Sequence, residues 1–157
     1  MQSADGRDWL QALRVYSAIL LLGNLLWEIA QLPLYTLWRT AAPRAIAFSV
    51  LHCTAGDVMI GMSALLMAVI VVGGSGWPQR RFARVVVVTI AIGLLYTIYS
   101  EWLNVEMRRT WAYADIMPRL PWLGTGLAPL AQWVVVPSLA FWRMVSPRQS
   151  GEHLGAS

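Results

Sequence analysis

Three carboxylates, Glu28, Asp57 and Glu101, and one imidazole, His52, stand inside long apolar runs of this sequence. An ionisable group at membrane depth costs about 2.5 to 3.5 kcal/mol to insert, so such residues mark function by default. Carboxyl groups in apolar surroundings resist ionisation, and a protonated acid beside an ionised one gives a proton donor and a base in one cavity. That chemistry suits isomerisation or cyclisation of an apolar lipid or isoprenoid. Glu28, Asp57 and Glu101 are therefore the expected catalytic groups, with His52 assisting.

Helical spacing selects their neighbours. Asn24, Glu28, Gln31 and Tyr35 recur at i, i+4, i+7 and i+11, which makes one polar stripe. Thr97, Glu101, Asn104 and Arg108 make a second stripe of the same kind. Gln132 is the strongly polar residue in the middle of the last apolar run. With Asn24, Gln31 and Asn104 it is expected to line the substrate site, and Trp27, Trp102 and Trp133 to stabilise developing positive charge through their π faces. His52 and Asp57 are five residues apart, about 140° around an ideal helix, so together they can border a wide cavity but form no compact chelate.

The elements that must position these groups are membrane helices. Of 157 residues, 57% are hydrophobic and 13% charged, far fewer charges than a soluble domain carries. Four runs reach the ~20 residues needed to span a bilayer, at about 13–37, 45–72, 85–105 and 123–144. The expected fold is an all-α integral membrane four-helix bundle, one domain, with both termini on one side. Alternating helix direction then brings Glu28, His52, Asp57 and Glu101 into the half of the bilayer opposite the termini. The polar residues 146–157 read as a disordered tail. The first run reads as a retained helix that also targets the chain to the membrane.

All twelve basic residues are arginine, seven on the terminus side and five opposite. The positive-inside rule thus gives cytoplasmic termini, and the Arg- and Ala-rich composition suggests a bacterial inner-membrane protein. Scattered arginines flanking apolar runs are interface anchors, which argues against nucleic acid as a partner. The expected partners are the bilayer and an apolar small molecule, with a homodimer or a larger membrane complex through the small-residue face Gly61, Ala64 and Ala68. Cys53 is the sole cysteine, so no intramolecular disulfide can form.

Other readings of the same residues stand beside the enzymatic one. The polar stripes can be interhelical hydrogen-bonding glue, and Arg39 or Arg108 can pair with Glu28 or Glu101. Carboxylates with an imidazole can also hold a divalent metal through Glu28, His52, Asp57 and Glu101, although the enzymatic reading needs no cofactor. A non-catalytic accessory subunit or a proton or solute pathway uses the same cluster. One local likeness bears on Glu28. The segment Asn24-Leu25-Leu26-Trp27-Glu28 resembles the Asn-x-x-Trp-Glu element of membrane-embedded meroterpenoid cyclases, over these five residues only. The resemblance implies a proton-transfer role for Glu28, in a chain with fewer spans than those enzymes have.

Overall fold

The computed structural model describes residues 3–145, with side chains from 9 to 145. The expected disordered tail at 146–157 lies outside the described residues. The chain is all-helical, 77% helix, with no strand among the described residues. Helix α1 is Ser3–Gln31 and runs into a 3-10 turn, Leu32–Leu34, where Pro33 removes a backbone donor. The short α2, Leu37–Thr40, turns the chain toward α3, Pro43–Ala68, which starts on a proline whose missing N–H costs nothing there. α3 closes in a π-helical turn, Val69–Gly73. After a turn at 74–81, α4 covers Phe82–Glu101 and widens into a second π-helical segment, Trp102–Met107. α5 is Leu127–Val145.

Three helical stretches are long and apolar enough to cross a membrane: Trp9–Leu34, Pro43–Gly73 and Phe82–Met107. They fall on the first three expected spans, shifted by a few residues. α5 packs against α1 and α4 but differs in composition, since Pro129, Gln132, Pro137 and Arg143 interrupt its apolar run. The fourth expected span also begins too early. Residues 123–126 belong to a tight turn in which Leu120 N–H donates to Thr125 O at 2.9 Å and Gly124 takes φ 67°. Leu37, at the end of the first expected span, instead opens the separate α2.

Side-chain size sets the helix order, α1 beside α3, α3 beside α4, α4 beside α5 and α5 beside α1. Lipid gives helices no hydrophobic drive toward one another, so close van der Waals contact must hold them. A Cβ on Gly61 would stand 2.7 Å from Leu20 Cδ1, and one on Gly93 would overlap the Trp133 ring. Both positions therefore admit a large side chain from the facing helix. Toward the terminus side, Tyr16, Leu20, Leu65, Ala68, Val85, Val136, Ala140 and Phe141 form the core, with Tyr16 and Phe141 ring centroids 5.0 Å apart. Leu26, Phe48, Met59, Ile70, Val87 and Leu95 point outward and are exposed, as a lipid-facing surface requires.

Candidate functional site

Gln132 is the hub of the polar half. From α5 its Nε2 lies 2.9 Å from Asp57 Oδ2 on α3, 3.3 Å from Glu28 Oε1 and 3.0 Å from Asn24 Oδ1, both on α1. Gln31 Nε2 donates to Glu28 Oε1 at 2.8 Å and reaches Gln132 Oε1 at 3.4 Å. Glu28 and Asp57 thus approach the same amide nitrogen from neighbouring helices. The i, i+4, i+7 stripe on α1 therefore does face inward, and Asp57 meets it from the neighbouring helix. An amide nitrogen has two hydrogens, so Gln132 cannot donate to all three acceptors at once. One carboxyl proton shared by Glu28 and Asp57 would relieve that shortage and the repulsion of two adjacent carboxylates.

Glu101 is buried at the end of α4 and has a different set of partners. It accepts a hydrogen bond from the Tyr113 hydroxyl, which in turn accepts one from Gly126 N–H at 3.0 Å. Tyr113 arrives on the link 108–126, pinned to the end of α1 by antiparallel pairing with Tyr35. Thr36 N–H donates to Ala112 O at 3.0 Å and Ala114 N–H to Leu34 O at 2.9 Å. The Tyr35 and Tyr113 rings lie 5.5 Å apart, and the Arg119 guanidinium sits 4.9 Å from the Tyr113 ring centre. Burial, the Glu101 bond and the Glu101 charge push the Tyr113 hydroxyl well above the ordinary tyrosine range. The link thus folds over Glu101 as a cap whose buried residues are Tyr113, Met117, Thr125 and Gly126. Tyr113 carried no signal of its own in the sequence beyond being an aromatic residue in a Pro- and Arg-containing link.

Several expected members stand elsewhere. His52 is exposed and stacks on Phe48, ring centroids 5.6 Å apart, because an inward Asp57 turns a residue five positions earlier outward. Asn104 donates to Ser100 O at 2.9 Å and accepts from Thr110 Oγ1 at 3.4 Å, closing the end of α4 and not the cluster. The π-helical widening that starts at Trp102 breaks the i+3 register with Glu101, and it leaves Trp102 exposed beside Tyr99. Trp133 is buried against Gly93, and Trp27 donates its indole N–H to Ala128 O at 3.2 Å, so both tryptophans tie helices together. Arg39 and Arg108 are exposed and pair with neither Glu28 nor Glu101.

Among the described residues no three His, Cys, Asp or Glu side chains converge as metal ligands, since His52 faces outward and Glu101 is held apart by Tyr113. What remains is an acid pair braced by three amides, plus a buried acid held by a tyrosine. Neither family models, curated proteins nor solved structures match the chain.

Proposed function

We propose that this chain is a membrane enzyme of the acid–base type, an isomerase or cyclase acting on an apolar lipid or isoprenoid. The observation that carries the reading is the contact of one amide, Gln132 Nε2, with both Glu28 and Asp57 at the half-buried centre of the polar half. A shared proton makes one carboxyl the acid and the other the base. The acid adds its proton to a substrate double bond, and the carboxylate removes a proton from a neighbouring carbon of the resulting cation. The double bond shifts, or a ring closes, with no net gain of protons or electrons. The apolar layer of Leu20, Leu65, Val85 and Val136 beneath the cluster favours a closed-ended site over a path through the bundle.

In this reading α5 is the fourth span. Its 19 residues cover about 28 Å at the α-helical rise, close to the hydrocarbon thickness. The site then opens toward the leaflet opposite the termini. The membrane would be a bacterial inner membrane with cytoplasmic termini, an orientation that the arginine excess on the terminus side supports.

The test is hydrogen exchange into lipid. Purified protein in vesicles of host lipid extract, incubated in deuterated water, should introduce deuterium at carbon into one apolar lipid species. Glu28→Gln and Asp57→Asn should both lose the labelling. Identical lipid mass spectra for wild type and the two variants would remove the enzymatic reading.

A further inference from the structure

The amides of the cluster have a direction, and that direction leaves two buried polar atoms unmatched. Gln132 Nε2 must face the acids Asp57 and Glu28, so its Oε1 faces Gln31 Nε2. Asn24 then has to present Oδ1 to Gln132, since the flipped amide would set donor against donor. Asn24 Nδ2 and Gln31 Oε1 are what is left over, a donor and an acceptor, both fully covered and without a partner. Asn24 is 3% exposed and Gln31 6%. A buried amide atom with no partner loses its hydrogen bond to water without a replacement, so two on one helix face, flanking Glu28, call for an explanation.

Charge narrows what could satisfy them. The cluster contains two carboxyls with Glu101 nearby, whereas Arg39, Arg44, Arg108, Arg109 and Arg119 are all exposed. An anionic head such as a phosphate would meet acids and no cation inside. A hydrocarbon would leave both amide atoms unsatisfied. A hydroxyl matches both demands, because its oxygen can accept from Asn24 Nδ2 and its hydrogen can go to Gln31 Oε1.

We propose that the cluster binds the hydroxyl head of a long apolar alcohol, with Asn24 Nδ2 and Gln31 Oε1 as its hydrogen-bonding partners. This names the substrate class for the site proposed above and rests on reading that site as open to lipid. Oxygen held there lies beside Glu28 and Asp57, where a carboxyl proton can be passed to it. A trapped water has the same donor and acceptor chemistry and is the competing occupant.

The experiment compares three probes on the full chain in lipid nanodiscs: radiolabelled geranylgeraniol, its diphosphate, and phytane, a hydrocarbon of equal carbon number. Wild-type protein should retain the alcohol at least about tenfold more tightly than phytane, the discrimination expected of a site built to hydrogen-bond oxygen. The diphosphate should not displace it. Asn24→Leu and Gln31→Leu should each weaken alcohol retention by about tenfold and leave phytane unchanged. Equal retention of alcohol and phytane, or displacement by the diphosphate, overturns the proposal. So does unchanged alcohol retention in both folded variants, which assigns the two atoms to water. If neither variant folds, the wild-type ratio of alcohol to phytane still decides. Selective retention without deuterium exchange would sink the enzymatic reading alone, while exchange without selectivity would sink this one alone.

Discussion

At the end where α1 begins and α5 finishes, Tyr16, Leu20, Leu65, Val85 and Phe141 fill the bundle with apolar volume. Further along the same helices, Asn24, Glu28, Asp57, Glu101 and Gln132 occupy the interior instead. The first half is held by shape. Leu20 seats against Gly61, and the rings of Phe82 and Tyr16 close on Phe141 at 5.7 and 5.0 Å. The second half is held by direction, through amide and hydroxyl donors aimed at carboxyl oxygens. Acids without counter-ions are a poor way to join helices, since neutral pairs bond across membrane helices with less desolvation. Under the proposed function, stability resides in the apolar half and chemistry in the polar half.

The sharpest way to break that division is to neutralise the acid pair. Glu28→Gln and Asp57→Asn keep side-chain shape and should lower solvent exchange into lipid by a hundredfold or more, the usual order for removing an acid or base. Unfolding free energy in mild detergent should stay within about 1 kcal/mol of wild type. Loss of folding instead would make the pair structural glue.

The converse change is Leu65→Ala, at a fully buried position of the apolar half. It should cost roughly 2 to 5 kcal/mol through the cavity it leaves. Exchange by the molecules that remain folded should persist. Gly93→Ala is the small-to-large counterpart. Its Cβ overlaps the Trp133 ring, so α4 and α5 must separate, at about 1 to 3 kcal/mol. Because Trp133 adjoins Gln132, this variant should also weaken exchange, and it is the one substitution expected to register in both halves.

How far the sequence foretold this division follows from periodicity. Apolar runs of spanning length gave the three long helices and their alternation. The α1 stripe, with Asp57 and Gln132 on neighbouring runs, already pointed to one polar half. His52 was legible as an intramembrane imidazole but not as an inward one, since its 140° offset from Asp57 leaves open which of the two turns in. Asn104 failed because spacing rules assume a uniform helix, and the chain widens at Trp102. The Glu101–Tyr113 bond was beyond reach for another reason. It depends on how the link 108–126 folds back onto Tyr35, and that path has no period to read.

That bond offers a pH test of the cap. Tyr113 titrates above the ordinary tyrosine value in the folded chain, chiefly because it is buried and bonded to Glu101. Its contribution to stability is thus complete below about pH 10, the unfolded value, and is lost as pH rises beyond it toward the folded value. Tyr113→Phe strips Gly126 N–H and Glu101 of a partner and should cost about 1 to 3 kcal/mol at neutral pH. It should also flatten the decline in stability above pH 10. An unchanged alkaline profile would mean that another group controls it.

The smallest expected effect belongs to His52, the imidazole expected to assist the three carboxyls. An imidazole in an apolar run is the natural proton carrier near neutral pH, yet His52 faces out and stacks on the exposed Phe48. His52→Ala removes one ring contact at the surface, which should move stability by no more than about 0.5 kcal/mol. It should leave lipid exchange and its pH dependence at wild-type values, because Gln132 already bonds both Glu28 and Asp57 without it. Loss of exchange in His52→Ala with the fold intact would show that proton transfer extends to the outer face of α3. The boundary between the two kinds of interior would then no longer describe where the chemistry happens.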